Sequence, residues 1–166
     1  MKKFDEPNAL SDVAKFHDIF DLPVLPTPRI PDSDRCRLRI NLLEEELREL
    51  KEAIRKKDIV EAADAFADLQ YVLSGAILEF GLAPAFKQIF EEVQRSNMSK
   101  VCETKEDAEA TLAHYKGERG MEGEIVEKEG QFLVYRVSDR KVLKSICYSE
   151  AKLREIVESH LITGDE

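Results

Sequence analysis

Acidic side chains recur at helical spacing in two neighbouring segments of the chain. The first segment, LLEEELREL, contains Glu46 and Glu49, and the second, EAADAFAD, contains Glu61 and Asp64. Side chains three residues apart on a helix project from the same face, with β-carbons roughly 5–6 Å apart. Two such pairs on facing helices would therefore bring four carboxylates together.

Carboxylates gathered at a half-buried point need compensation. They repel one another, and each loses favourable hydration when it leaves water. A divalent cation would compensate them, and an oxygen-only ligand set without nearby His or Cys suits Mg²⁺ or Mn²⁺ better than zinc. The ordinary alternative is a pair of solvated helix surfaces. The metal site is favoured because Glu46 and Glu49 border the apolar face of their helix.

The hydrophobic spacing predicts a helix around each acidic segment. Apolar residues recur at steps of three and four from about Asp34 to Lys56, and they line two sides of the segment from about Asp58 to Gly81. A helix that is apolar on two sides is expected to be buried on two sides. In a chain of this length, we therefore expect a helical bundle that a second copy completes.

Three further helices are predicted around this pair. One runs from roughly Leu10 to Phe20 with Ser11 as its N-cap, and a connector with four prolines follows it. Another ends near the sequence RSNMSK, and a third begins at Thr104 with a capping-box-like start. All five predicted helices precede the change in composition near residue 118.

The C-terminal part of the chain predicts a different kind of structure. Three glycines occur within the eight residues GERGMEGE, and EIVEKEGQFLVYRV then predicts two strands joined by Glu129 and Gly130. The run KVLKSICY predicts a third strand, and Ser149 is predicted to cap a closing helix. We therefore expect an all-α helical bundle core in residues 1–118 and a small β-meander plus helix in residues 119–166.

The two acidic motifs together resemble a known enzyme superfamily. Glu45-Glu46-x-x-Glu49, followed after eleven residues by Glu61-x-x-Asp64, is similar to the EExxE…ExxD pattern of MazG-like all-α nucleotide pyrophosphohydrolases. That superfamily includes dimeric dUTPases, dCTP pyrophosphatases and phosphoribosyl-ATP pyrophosphohydrolases. The resemblance covers about residues 10–115 and leaves the C-terminal extension unexplained.

The resemblance implies a Mg²⁺-dependent hydrolase, with Mn²⁺ as a substitute, that converts a nucleoside triphosphate to its monophosphate and pyrophosphate. Glu45 and Glu46 are the implied catalytic residues, with Glu45 binding a second ion or positioning the attacking water. Asp68, one turn after Asp64, either orients a metal ligand or lies on the helix surface. The implied metal ligands are Glu46, Glu49, Glu61 and Asp64.

Other side chains are candidates for contacts with the substrate. Relatives carry a similar Asn-x-x-Lys at the end of the fourth helix, so Asn97, Lys100 and Arg95 are expected to reach the nucleotide. The alternative for Lys100 is that it only complements the negative end of the helix. His17 is a candidate to stack on the base, against a packing or surface role, and Tyr71 either contacts the ligand or packs in the core.

Charge and composition narrow the classes of partner. The formal charge is −9, from 25 Lys and Arg against 34 Asp and Glu, which argues against a nucleic-acid polymer because such binding needs a basic face. The sequence has no run of about 18 apolar residues and no secretory signal at its start. Three widely spaced cysteines fit a reducing compartment. We expect a cytoplasmic homodimer or homotetramer that binds a nucleotide and no membrane.

Two alternatives remain open at this point. Phosphoribosyl-ATP pyrophosphohydrolase shares the fold and motifs, although such enzymes are usually shorter and lack a similar C-terminal extension. A non-catalytic helical dimerisation or adaptor module would instead use the carboxylates to bind metal for stability only.

Overall fold

The computed structural model describes residues 2–161, without the side chain of Arg119. Six helices and two strands lie within this range. In chain order they are α1 (Ala9–Ile19), α2 (Ser33–Lys56), α3 (Ile59–Glu79), α4 (Ala83–Met98), α5 (Lys105–Arg119), β1 (Gly123–Lys128), β2 (Gln131–Arg136) and α6 (Leu153–Leu161).

The described residues form two compact units. The first contains residues 2–87 and 155–161, and the second contains residues 88–154, so the division falls inside α4. In the second unit, α5 contacts both strands of the hairpin. The boundary that we placed between residues 118 and 119 stays a prediction.

In the first unit, α2 and α3 form a helical hairpin at the bounds that the periodicity predicts. The Asp32 carboxylate caps α2, and the Asp58 carboxylate caps α3 by accepting hydrogen bonds from the amides of Val60 and Glu61, at 3.0 and 3.2 Å. Lys57 ends α2 in the left-handed conformation, with φ 58°. These local signals reverse the chain within two residues and pair the two acidic segments.

Small residues make the contact between α2 and α3. Ala53 of α2 packs with Ala62 and Ala65 of α3, and Leu50 and Leu69 complete this cluster. Alanine side chains allow two helices to approach closely, which keeps residues at the edges of the contact near one another.

Part of the apolar periodicity that we expected to be buried is exposed. Ile54 of α2 is 63% exposed, and Phe66 of α3 is 60% exposed. The same holds for two series at seven-residue spacing, namely Ile40, Leu47 and Ile54, and Ile59, Phe66 and Leu73. Val60 and Ala67, on the other predicted apolar side of α3, are exposed as well, so the expected burial of α3 on two sides is not found within the described chain.

The first helix begins earlier than the sequence predicts. Asn8 occupies the N-cap position and its carbonyl accepts from the Asp12 amide at 2.9 Å, so Ser11 lies inside the first turn and the predicted Ser11 cap is wrong. The proline-rich connector then packs on the end of α3. Its Leu25 amide donates to the Leu78 carbonyl at 3.0 Å, which satisfies a helix-end acceptor.

The second unit contains α5 and the predicted hairpin. The Thr104 hydroxyl accepts from the Asp107 amide at 3.1 Å, which confirms the predicted cap of α5. Glu129 and Gly130, both at positive φ, form the turn between the strands, as predicted. The buried core of this unit consists of Cys102, Ala108, Tyr115, Val134 and Leu143.

The predicted third strand is wrong, because the run KVLKSICY forms a single bridge between Tyr135 and Val142. The next residues satisfy their amides with side chains of α5 instead of a neighbouring strand. The Ile146 amide donates to the Thr111 hydroxyl at 3.0 Å, and the Lys144 amide donates to the Tyr115 hydroxyl at 3.3 Å. The β-meander is therefore a two-stranded hairpin.

The predicted cap of the closing helix is also wrong. Ser149 lies four residues before the start of α6, and its amide donates to the Ser99 hydroxyl at 2.9 Å. The fold class itself is confirmed: a helical core is followed by a small β segment and a helix. No single described helix is long and apolar enough to cross a membrane, although α3 and α4 together pass that test as a pair bent by 118°.

We predict that Gly81→Ala destabilises the protein by about 2–3 kcal/mol. Gly81 follows α3 with φ +66°, and a β-carbon there would lie 1.8 Å from the Thr27 carbonyl oxygen. The measurement is the free energy of unfolding by urea. The control, Gly117→Ala, adds a β-carbon in open space within α5 and should stabilise by about 0.5–1 kcal/mol. Equal effects of the two substitutions would contradict this account.

Candidate functional site

A half-buried carboxylate lies where α2 faces α3. Glu46 Oε2 is shielded from solvent and has no hydrogen-bond partner in the part of the chain that the structure describes. Burial raises the pKa of Glu46, and the nearby charges of Asp68, Glu49, Glu45 and Asp64 raise it further. The two helices therefore hold an uncompensated acidic group.

Three of the four predicted metal ligands share one cavity beside this group. Glu49 projects from α2, and Glu61 and Asp64 project from the first turns of α3. The cavity has a volume of about 260 Å³. We call it the acidic cavity; its other lining residues are Arg48, Glu52, Ala53 and Lys56.

The Glu52 carboxylate, which also lines the acidic cavity, is paired with two cations of its own helix. Arg55 and Lys56 contact the Glu52 carboxylate, and hydrogen bonds from these two residues lower the pKa of Glu52 to about 2. Glu52 is therefore compensated within the chain, and Glu46 Oε2 has no such partner among the described residues.

The donor set and the orphaned oxygen fit a divalent cation. Mg²⁺ and Mn²⁺ prefer carboxylate oxygens, and a bound cation would remove the strain at Glu46. Within residues 2–161, however, no three Asp, Glu, His or Cys side chains already lie close enough to hold one ion. The ligand set Glu46, Glu49, Glu61 and Asp64 therefore stays a prediction, as do the roles of Glu45 and Asp68.

A second cavity, the apolar cavity, lies between α1, α2 and α3. It has a volume of about 200 Å³, and its apolar wall includes Val13, Leu22 and Leu42. The rings of Phe16 and Tyr71 meet edge to face, with centroids 5.7 Å apart, and both also line it. Because a dry cavity of about 150 Å³ holds one benzene ring, the apolar cavity is large enough for a planar ring.

The helices place the apolar cavity next to the carboxylates. On α2, Leu42 precedes Glu46 by four residues, and on α3, Tyr71 follows Asp68 by three. Residues at these spacings are neighbours on a helix surface, roughly 5–6 Å apart. A ligand could therefore place an apolar ring in one cavity and an anionic group near the acids.

A buried ionic network forms one side of the apolar cavity. The Glu79 carboxylate at the end of α3 accepts hydrogen bonds from Arg35 and Arg39 of α2, the latter at 2.6 Å. Burial alone would raise the pKa of Glu79, but hydrogen bonds from Arg39 and Arg35 outweigh it and lower that pKa below its ordinary value. Arg35 and Arg39 both line the cavity.

His17 belongs to the same network. Its Nδ1 donates to the Pro23 carbonyl at 2.9 Å, which leaves Nε2 to accept from the Arg39 guanidinium at 3.0 Å. His17 is only 1% exposed, so the structure gives it the packed position that the sequence left open. Its ring still lines the apolar cavity, and its contact with a base stays a prediction. The predicted contact of Tyr71 with a ligand also stays a prediction.

The remaining predicted substrate contacts lie in the second unit, at the end of α4. The Lys100 ammonium donates to the Asn97 side-chain oxygen at 2.7 Å. Arg95 donates to the Glu92 carboxylate and to the Glu150 carbonyl, and the hydrogen bond with Glu92 raises the pKa of Arg95. Their predicted contacts with a nucleotide stay predictions.

The sequence analysis missed Arg35, Arg39 and Glu79. A signal existed, because Glu79 is the only acid between Asp68 and the end of α3, in the otherwise apolar run YVLSGAILEF. A lone carboxylate in a buried helix requires a buried cation, and α2 offers arginines on its N-terminal half. The partners are 40 and 44 residues apart in sequence, so no spacing motif reveals them.

Comparisons with known proteins agree with this picture. A family model described as phosphoribosyl-ATP pyrophosphohydrolase matches residues 13–97, which include most of α1, all of α2 and α3, and most of α4. An uncharacterized protein of Acanthamoeba polyphaga mimivirus is 32% identical over 76 residues. That match covers 43% of this chain and 30% of the viral protein, so the chain spans less than a third of that relative's length.

We predict that Glu46→Gln stabilises the metal-free protein at neutral to alkaline pH and not at pH 4. The raised pKa of Glu46 means that the folded state holds this proton more tightly than the unfolded state, whose pKa is near 4.5. The stability due to protonation is complete below pH 4.5 and is lost as the pH rises through the raised pKa. The measurement is urea unfolding in EDTA across this pH range.

The control for this measurement is Glu44→Gln, because Glu44 is exposed on the same helix. The difference in unfolding free energy between Glu44→Gln and wild type should not depend on pH, in contrast to the difference for Glu46→Gln. If the difference in unfolding free energy between Glu46→Gln and wild type did not change with pH, the hypothesis that the charged Glu46 side chain destabilises the fold would be refuted.

Proposed function

Because the chain belongs to the phosphoribosyl-ATP pyrophosphohydrolase family, a MazG-like family that hydrolyses phosphoric anhydride bonds, we propose that it cleaves a nucleoside triphosphate to the monophosphate and pyrophosphate. The supporting observation is the position of the orphaned Glu46 carboxylate beside an apolar cavity. One end of this arrangement suits a planar base, and the other suits phosphates accompanied by a cation.

The carboxylates around Glu46 are the residues that would hold Mg²⁺ or Mn²⁺. Such an ion, when bound, supplies positive charge to phosphate oxygens and makes a water molecule more acidic. The set comprises Glu46 and Glu49 from α2 and Glu61 and Asp64 from α3. The cation would also reduce the repulsion between a triphosphate and a protein whose formal charge is −9.

Side chains of the protein itself would then activate the water and bind the base. In the reaction, a water oxygen forms a bond to phosphorus, one phosphoanhydride P–O bond breaks, and pyrophosphate leaves. Glu45, which is exposed one residue before Glu46, is proposed to orient the water and accept its proton. Phe16 and Tyr71 would hold the base, so that binding energy fixes the anhydride near the carboxylates.

Phosphoribosyl-ATP is the second candidate substrate. The observation that favours it is the description of the family model that matches residues 13–97. Both substrates have a base linked through a sugar to a phosphate chain, so the same arrangement can hold either. A third candidate of another class is a metal-stabilised adaptor without turnover, and it predicts no pyrophosphate release from any nucleotide.

We predict that Glu49→Gln lowers kcat/KM for pyrophosphate release by about 100-fold or more while the protein stays folded. The substituted amide would keep the size of the side chain and remove one anionic oxygen ligand. The assay measures pyrophosphate release from ribo- and deoxyribonucleoside triphosphates and phosphoribosyl-ATP, with Mg²⁺ or Mn²⁺. EDTA should abolish the activity, and added metal should restore it.

The control variant is again Glu44→Gln, which should keep wild-type kcat/KM because Glu44 is exposed on α2 outside the acidic cavity. Full activity of Glu49→Gln would exclude its role as a ligand. If the wild-type chain released no pyrophosphate from any substrate of the panel, the adaptor hypothesis would replace the enzyme.

We also propose that a second copy covers the exposed apolar series of α2 and α3. Each series repeats every seven residues, a spacing that keeps side chains on one helix face. Ile54 and Phe66 are more than half exposed, which leaves an unusually apolar surface for a protein with 36% charged residues. A homodimer buries this surface against itself without a different partner.

We predict a solution mass of twice 19.0 kDa and its loss in Phe66→Glu. A charge placed in an apolar interface would remain buried and unpaired, which weakens association by several kcal/mol. Light scattering after size exclusion measures the mass. Phe4→Glu is the control, because Phe4 is 80% exposed near the N-terminus and outside both helices. A monomeric wild type would refute the proposal.

A further inference from the structure

Arg48 is an unpaired cation on the wall of the acidic cavity. The carboxylates that line the same cavity are those of Glu49, Glu52, Glu61 and Asp64. The side chain of Arg48 is exposed, and its guanidinium forms no hydrogen bond or ion pair with any residue that the structure describes. An arginine beside carboxylates commonly pairs with one of them. Arg48 does not, so its donors are free to turn toward an anionic ligand.

The other cation that lines the acidic cavity is already paired. Lys56 Nζ lies 3.3 Å from an oxygen of the Glu52 carboxylate. Arg55, which lies outside the lining residues, forms an ion pair with the same carboxylate at 2.6 Å. Of the described residues that line the cavity, Arg48 is therefore the cation with the most freedom to bind an external anion.

The order of residues along α2 places the acidic cavity farther from the apolar cavity than Glu46 lies. Leu42 lines the apolar cavity, and Glu46 follows it by four residues. Arg48 and Lys56, which line the acidic cavity, follow Glu46 by two and ten residues. Each residue advances a helix by about 1.5 Å. A ligand with its base in the apolar cavity can therefore extend along α2, past Glu46, to the acidic cavity.

We propose that Arg48 binds the terminal phosphates of the substrate and makes the protein selective for nucleoside triphosphates over diphosphates. This inference rests on the proposed function, because that function places the base in the apolar cavity. The β- and γ-phosphates lie farthest from the base, so they are the groups that reach the acidic cavity. A guanidinium donates two parallel hydrogen bonds to phosphate oxygens. A diphosphate has no γ-phosphate to accept them.

Arg48 and the carboxylates would act on the substrate in different ways. Carboxylates attract a cation and repel phosphate, whereas a guanidinium attracts phosphate directly. The β- and γ-phosphates also form the leaving pyrophosphate. When the phosphoanhydride bond breaks, its electron pair stays on the pyrophosphate oxygen, and a hydrogen-bond donor stabilises the charge that develops there. Arg48 thus contributes both to binding of the triphosphate and to departure of pyrophosphate.

Triphosphates and diphosphates of the same nucleoside test the inference directly. The assay measures kcat/KM for formation of the monophosphate with Mg²⁺, for the nucleoside that the wild type hydrolyses fastest. We expect Arg48→Met to lower kcat/KM for the triphosphate by about 10- to 100-fold, the effect of losing a hydrogen bond to a charged group. The value for the diphosphate should change by less than about threefold. An equal loss for both substrates, or no loss for either, would overturn the inference and leave the proposed function standing.

The matched control is Lys51→Met. Lys51 is an exposed cation of α2, three residues after Arg48, and it lies outside the residues that line the acidic cavity. This variant should keep the wild-type ratio of the two kcat/KM values within about twofold. If it lowered the ratio as much as Arg48→Met, the effect would come from net charge and the inference would be overturned. Arg48→Gln replaces Arg48→Met if circular dichroism shows that the methionine variant does not fold.

Binding of inorganic pyrophosphate separates this inference from the hydrolytic function. Calorimetry with pyrophosphate and Mg²⁺ needs no turnover, and it decides the question where the wild type hydrolyses no diphosphate or no nucleotide. We expect the wild type to bind pyrophosphate at least about 10-fold more tightly than Arg48→Met does. If this difference is found in a chain that hydrolyses no triphosphate, the proposed function falls and the phosphate site stands. Equal affinities, or no binding to the wild type, would overturn the inference.

Discussion

The buried charge of Glu79 is the interaction on which the first unit depends. This carboxylate is 1% exposed at the end of α3, where an unpaired anion would not be tolerated. Arg35 and Arg39 of α2 pair with it, Arg39 also bonds His17 of α1, and His17 donates to the Pro23 carbonyl of the connector. One anion thus joins three helices and a loop. Removing a partner from such a group costs about 3–5 kcal/mol, so the network fixes the wall of the apolar cavity as firmly as apolar packing would.

Glu46 is a second carboxylate that is shielded from solvent, but unlike Glu79 it has no cationic partner among the described residues. Burial acts on both carboxylates, yet the pKa of Glu79 falls because Arg39 and Arg35 bond it, whereas the pKa of Glu46 rises because burial and Asp68 both disfavour its charge. Glu79 is compensated from within the chain and has a structural role. The strain at Glu46 persists in the folded chain, and strain of this kind is characteristic of sites that bind an external charge. The contrast supports a structural role for Glu79 and is consistent with the proposed metal-binding role of Glu46.

Much of the fold could be predicted from the sequence, because helix periodicity and caps are local signals. The spacing of the acids also predicted that Glu49, Glu61 and Asp64 would border a common space. The absence of the third strand could not be predicted, since the Ile146 amide donates to the side chain of Thr111, which lies 35 residues away in sequence. Periodicity identified the apolar series of α3 but could not show whether the chain itself covers this series. The structure leaves Phe66 of the series exposed. The buried network was beyond reach because single charges at long separation form no pattern.

The two cavities divide recognition from reactivity on physical grounds. The apolar cavity has walls held by packing and by the Glu79 network, so its shape does not depend on metal. In the proposed function, the acidic cavity would repel a phosphate chain until a cation reversed the local charge, so its contribution would depend on metal concentration and pH. In the proposed reaction, a substrate that joins a base to phosphates through one sugar would occupy both cavities. Its base could bind without the cation, whereas hydrolysis would require the cation. This division would account for an aromatic wall formed by Phe16 of α1 and Tyr71 of α3 near the uncompensated Glu46 of α2.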